Sequence, residues 1–146
     1  VRHFPCVRRG LAVAAGLLVS ASAGIALAQP ATPILLSPAL GGTAAGNRGA
    51  GQAYLGGASI SADGRRVAFA SASSDLVAND VNGTVYDVFV RDLGTNTTIA
   101  VSVTASGATG NGESGFPTIS PDGSLVVFQS DASNLVPGDT NGVTDV

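Results

Sequence analysis

The 146-residue chain has no lysine, methionine or tryptophan, and only one cysteine and one histidine. Both singletons, Cys6 and His3, sit in the first six positions. Aromatic residues are 5% and charged residues 12% of the chain. These shortages exclude several functions. Without His, Cys or Lys beyond residue 6, the usual pairings of a nucleophile with a general base cannot be assembled. No disulfide framework can form. An acidic chain without lysine is a poor nucleic-acid binder, because that affinity comes from cations on phosphates.

The first 28 residues read as an export signal. Arg2, Arg8 and Arg9 form a basic start, and Leu11 to Ala28 is an uncharged apolar run. Ala26-Leu27-Ala28 supplies small residues where a signal peptidase reads, which places cleavage between Ala28 and Gln29. A membrane-spanning helix is the competing reading. Gly16, Ser20, Ser22 and Gly24 dilute the run, and a polar Gln-Pro follows it. Arg8-Arg9 hints at the twin-arginine route, although the surrounding pattern is poor. Val1 reads as an alternative start codon. Cys6 precedes the apolar run, so it is not placed to carry a lipid anchor. The mature chain would hold four arginines against ten acids, a net charge of −6. It is expected to be secreted or periplasmic, with no membrane contact after cleavage.

What the chain does have is a repeat. Positions 60–83 match positions 119–142 at a constant offset of 59, with 13 of 24 residues identical. Such a period marks repeat architectures, whose units bury apolar faces by stacking on neighbours. Val67, Phe69 and Ser71 alternate with Arg66, Ala68 and Ala70, the period of a strand. The alternate face of the second copy is Leu125, Val127 and Gln129, so both faces are largely apolar and predict a strand sandwiched between layers. Asp87–Asp92 and Thr97–Val103 read as two more strands joined by a Gly94-Thr95-Asn96 hairpin. Ala58–Ser61, matched by Pro117–Ser120, is a short strand ahead of an Asp-Gly turn. Four short antiparallel strands per 59 residues is the plan of a β-propeller blade. A β-sandwich is the runner-up, but its strands would not repeat in this way.

Ile-Ser-Pro-Asp-Gly at 119–123, the Val-x-Phe-x-Ser that follows, and Asp-Val-Phe-Val-Arg-Asp at 87–92 resemble the TolB-like β-propeller repeat. That is the Pro-Asp type, similar to WD repeats. The likeness covers residues 54–146. Pro121-Asp122 carries the dipeptide itself, and the first copy has Ala62-Asp63 in its place. Both copies add an insert, residues 72–86 and 131–144, which resembles the one in large exported bacterial members. The resemblance implies an all-β chain of four-stranded blades in an incomplete ring behind a signal helix. The first blade is expected at 54–104, an inter-blade loop at 105–115, and a second blade at 116–146. Asp145-Val146 matches Asp87-Val88, so that blade is expected to be truncated and the missing blades to be required for a closed ring. Fewer than three repeats should be at best marginally stable. Ahead of them, 29–53 is expected to be flexible and Gly/Ala-rich. Within it Ile34–Ser37 aligns with Ile99–Ser102 as an outer latch strand, and Asn47 falls near the position of Asn111.

Candidate site residues follow the repeat. Asp80, Asn82 and Asp87 recur as Asp139, Asn141 and Asp145, with Gly83 and Gly142 after the Asn. Carboxylates and an amide oxygen around a sharp turn are ligands for a hard cation such as calcium. The set is not an EF-hand, since Arg91 stands at its twelfth position. An Asx-type turn, in which Asp and Asn bond local backbone N–H groups, is the preferred reading. No cofactor is expected unless it is calcium. Leu76-Val77 and Leu135-Val136 are expected to tuck the inserts onto the blades, and Arg91-Asp92 to be a solvated strand end.

The expected function is an exported, non-enzymatic scaffold binding a protein or a glycan. One alternative is the propeller domain of a longer hydrolase of the serine peptidase type, which a Gly-x-Ser-x-Gly elbow elsewhere would decide. The other is a calcium-stabilised surface or adhesion protein.

Overall fold

The computed structural model describes residues 35–40, 44–48 and 56–146. The signal segment 1–28, the cleavage pair Ala28 and Gln29, and Ile34 lie outside the described residues, and 35–37 of the expected latch strand are not in a strand.

The described residues contain six strands and no helix: β1 (Ser59–Ile60), β2 (Arg66–Ser71), β3 (Asp87–Asp92), β4 (Thr97–Ala100), β5 (Ser114–Ile119) and β6 (Val126–Ser130). The first four form one sheet in chain order, and β5 pairs with β6 in a second. Every pairing is antiparallel. The chain is all-β over these residues. We refer to β1–β4 with its insert as module 1 and to β5–β6 with its insert as module 2.

The register of β2 on β3 explains why both faces of these strands are apolar. Ala68 lies opposite Val90, and the next pair along the strands, Phe69 opposite Phe89, points to the other face. Module 2 covers the first face, where Ile119 of β5 packs with Ala68 and Val90, and Val101 and Val126 close the edges. The insert covers the other. Leu76 and Val77 fold back onto Phe69 and Phe89, whose rings stack at 5.8 Å between centroids. A fully buried ring of this kind contributes roughly 2–3 kcal/mol, so the two phenylalanines anchor module 1.

Module 2 is less filled. Val127 is 55% exposed and Val136 63% exposed, and Leu135 is half-buried where its counterpart Leu76 is buried. The tucked position expected for Val136 is therefore not adopted. On the side of β6 away from β5, the described residues provide a single bridge, Ser130 to Asp145, and no strand lies over the cluster.

Each module opens on the same turn. Ser61 donates its hydroxyl to Asp63 at 2.6 Å and Ser120 to Asp122 at 2.5 Å, while Gly64 and Gly123 take φ of 70° and 72°. Gly accepts that conformation without steric cost. Arg66 pins the modules together, donating to Asp92 at 3.3 Å and to the Gly123 carbonyl at 2.9 Å.

Three local expectations are corrected. β4 ends at Ala100 and does not run to Val103. Ser102 turns its hydroxyl inward to bond Asp87 and to accept from the Val88 amide, and Val103 bridges Thr109 instead. β5 starts earlier than Pro117, at Ser114, and carries an irregularity between Gly115 and Thr118. Arg91 is not solvated. It is 6% exposed, and its guanidinium donates to the Asn96 carbonyl, the Asn96 side-chain oxygen and the Thr98 hydroxyl. The hairpin turns back over the arginine and supplies acceptors that its position at a strand end does not suggest.

Candidate functional site

The insert of module 1 brings Asp80, Asn82 and Asp87 to the end of β3. Asp87 begins that strand opposite Ser71 and is fully buried. Its two oxygens accept from the Ser102 hydroxyl and the Asn82 side-chain amide, each at 2.8 Å. The same Asn82 nitrogen donates to the Gly110 carbonyl at 2.8 Å. Burial raises the Asp87 pKa to about 6, and the Asp80 charge adds to it against the pull of these two hydrogen bonds. Burial also raises Asp80, opposed by the amides of Asn82 and Gly83 and by the Thr109 hydroxyl.

The linker between the modules completes this arrangement. Val81 donates its amide to the Thr109 hydroxyl at 3.1 Å, Thr109 donates its own amide to the Asn79 carbonyl, and the Asn79 side chain donates to the Gly107 carbonyl. Two residues on, the linker grips the second insert. Asn111 donates its backbone amide to the Asn134 side-chain oxygen and its side-chain amide to the Ser133 hydroxyl, and accepts from the Ser133 amide. A Cβ on Gly110 would fall 2.9 Å from both Ala132 Cβ and Leu135 Cδ2, so only glycine permits the approach.

The described part of the N-terminal segment repeats this clasp on the first insert. Asn47 bonds Asp75 and Ser74 through the same three groups, and a Cβ on Gly46 would fall 2.7 Å from Leu76 Cδ2. The bridge Pro38 to Ala45 matches Val103 to Thr109, and Gly46 donates to the Ser37 carbonyl as Gly110 donates to that of Ser102. Residues 37–40 and 44–48 thus repeat the device of residues 102–112.

In module 2 the corresponding trio is more open. Asn141 donates to both oxygens of Asp145 at 3.2 Å, its own oxygen accepts from the Val143 amide at 3.1 Å, and both residues are exposed. Asp139 holds a buried oxygen with no hydrogen-bond partner, as do Asp80 and Asn82.

No family model, curated protein or solved structure matches this chain. Function is therefore argued from the geometry.

A calcium ion takes six to eight oxygens. The unpartnered oxygens of Asp80 and Asn82 are two candidate donors. Asp87 does not complete the set, because both of its oxygens are already bonded. Among the described residues no three His, Cys, Asp or Glu side chains gather as a ligand set. The fit is incomplete, and the observed geometry is a hydrogen-bonded latch between insert, strand and linker.

Sequence reasoning missed three residues that matter here. Ser102 donates to buried Asp87 and Thr109 to half-buried Asp80, and the alignment of Ser37 with Ser102 was the available signal for the first. Phe116 is 46% exposed with a φ of 53°, a conformation foreign to a bulky side chain. The irregularity in β5 aims its ring outward, and nothing in the sequence marks it. Among the described residues no helix is long and apolar enough to cross a membrane.

Proposed function

We propose that this chain is an exported, non-enzymatic repeat protein of the β-propeller type, a scaffold whose loop-bearing edge binds a protein or glycan. The observation that carries this reading is the linker at 104–112. Through Thr109, Gly110 and Asn111 it fastens the insert of one module to the insert of the next, so the two loops form one continuous surface. Val81 and Val136 stand out from it, 70% and 63% exposed. Loops held by a rigid sheet are where binding residues concentrate. Asp87 and Asp80 of module 1 face amides and hydroxyls that order the loop. Fold alone does not set function, so the claim rests on that surface.

Arrays of glycans and of exported proteins, probed with labelled full chain, test the reading. Binding weakened tenfold or more by Val81→Asp with Val136→Asp is the expected result. Binding indifferent to both substitutions would overturn it, as would turnover of an ester, peptide or glycoside that Asp87→Asn abolishes. The unpartnered oxygens of Asp80, Asn82 and Asp139 favour a second reading, a calcium-stabilised surface protein.

A further inference from the structure

All ten acidic side chains of the sequence lie within the described residues, and residues 1–55 contain none. None of the ten bonds Arg91. Among the described residues the one ion pair joins Arg66 to Asp92, which also accepts from the Gly94 and Thr95 amides. Arg91 is 6% exposed and so carries its charge inside module 1 without a carboxylate. A buried charge is costly unless an opposite one accompanies it.

The groups left over around this guanidinium are donors. Arg91 has five N–H groups. Its two terminal nitrogens reach the Asn96 carbonyl, the Asn96 side-chain oxygen and the Thr98 hydroxyl, and Nε has no partner. Asn96 spends its side-chain oxygen on the arginine, which leaves its amide nitrogen to donate. Thr98 accepts through its hydroxyl oxygen, which leaves the hydroxyl hydrogen. Together these hydrogens recognise an acceptor that bears negative charge.

The same corner borders a cavity. Arg91, Asn96 and Thr98 line a space of about 310 Å³ together with Pro38, Leu40 and Leu76. The Leu40 amide donates to the Asp75 carbonyl at 2.6 Å, which holds that segment against module 1. Ligand pockets begin at roughly 300 Å³, so the space suits a small molecule. Phosphate or sulfate would leave Leu40 and Leu76 without contact, and a sugar would set hydroxyls against them. An anion with a short hydrocarbon tail matches both kinds of lining.

We propose that this cavity binds a short aliphatic monocarboxylate, with its carboxylate set against Arg91, Asn96 and Thr98 and its tail against Pro38, Leu40 and Leu76. A planar guanidinium is the preferred partner of a carboxylate, and here the hairpin already fixes it through Asn96. The site lies at the β3–β4 hairpin and does not depend on what the insert surface binds.

The test titrates the full chain with sodium pentanoate and follows arginine Nε–H and backbone amide signals by NMR. Saturable one-to-one binding is expected, with shifts at the Arg91 Nε–H and at residues 96–98. Pentanamide keeps the tail without the charge, inorganic phosphate keeps charge without a tail, and each should bind at least tenfold more weakly. Leu40→Asp supplies a carboxylate from within the cavity wall and should weaken pentanoate at least tenfold. That side chain is 68% exposed, so this variant keeps the fold. Arg91→Lys should weaken binding similarly. No saturation at tens of millimolar pentanoate would overturn the proposal, as would equal binding of pentanamide or phosphate. Undiminished binding to Leu40→Asp, or shifts confined to the exposed Arg65 and Arg66, would overturn it too.

Discussion

Asn82 and Asp87 are joined at 2.8 Å by an amide whose nitrogen also reaches the Gly110 carbonyl at 2.8 Å. One asparagine thus ties an insert, a strand and a linker to a carboxylate that water does not reach. The tie satisfies the acid without removing the cost of burying its charge, which is why burial still dominates its titration.

The pH dependence of stability follows from that. Asp87 has a folded-state pKa of about 6 against an ordinary 3.8, so protonation favours the fold. Its contribution is complete below 3.8 and is lost as pH rises through 6. Asp122 works in the opposite sense. The Ser120 hydroxyl and the Ser124 amide hold it down at about 2, so its contribution is lost as pH falls from 3.8 toward 2. Stability should peak near about pH 4, decline by on the order of 2–3 kcal/mol between about pH 4 and 6, and level off above that. Urea melts across that range check it. Asp87→Asn should flatten the upper limb, and an unchanged slope in that variant would rule Asp87 out as the cause.

The paired clasps predict matched losses. Asn111→Ala removes the two side-chain hydrogen bonds to Ser133, keeps the backbone amide on Asn134, and should cost about 1–2 kcal/mol. Asn47→Ala should cost a similar amount, because its partners are equivalent. Gly110→Ala forces a Cβ to within 2.9 Å of Ala132 and Leu135 and should cost about 1–3 kcal/mol. Denaturant midpoints of the three variants provide the comparison. A neutral Gly110→Ala would mean that the linker does not bind the insert this closely.

Phe116 and Phe69 should behave oppositely. The left-handed conformation of Phe116 costs roughly 1–2 kcal/mol for a residue with a Cβ. Gly57 stands at the matching position of module 1. Phe116→Gly should therefore leave stability within about 1 kcal/mol of the parent, or raise it, after the entropy of the added glycine is counted. Phe69→Ala empties the centre of the buried cluster and should cost about 3–5 kcal/mol. Thermal melts of the two variants decide this, and a large loss at Phe116 would show that its ring packs as core.

Much of the strand plan was legible because period-two alternation survives in both copies. Val67, Phe69 and Ser71 fall on one face of β2, and the second apolar face was readable from Val127 before module 2 was seen to cover Ala68. What stayed hidden depends on single contacts across the chain. Arg91 reads as a charged strand end, and only the folded hairpin reveals the Asn96 oxygens that receive it. The site trio was readable as Asp80, Asn82 and Asp87. Its linker half was not, since Thr109 and Gly110 belong to a loop without periodicity. The burial that changes the chemistry of Asp87 comes from packing, which a local motif does not encode.

The strongest contest lies between latch and cation at Asp80, Asn82 and Asp87. Calcium bound only by the folded chain would stabilise it by about 2.7 kcal/mol at a hundredfold excess over the dissociation constant. Few charges and a loop setting would make such a site weak, on the order of 10⁻⁴–10⁻³ M. The Asn82 oxygen and one Asp80 oxygen are the unpartnered donors such a site would start from, far short of six. The latch is complete as it stands, with both Asp87 oxygens bonded, and we expect it to prevail. Melting temperatures should be the same in millimolar calcium and in chelator, and Asp80→Asn should change stability by less than about 1 kcal/mol, because an amide oxygen can still cap the Asn82 and Gly83 amides. Asn82→Ala should cost more, since it leaves both the Asp87 carboxylate and the Gly110 carbonyl without their shared donor. A rise in melting temperature with calcium, absent with magnesium and lost in Asp80→Ala with Asp139→Ala, would reverse this assignment and make the unpartnered oxygens of Asp80 and Asn82 ligands.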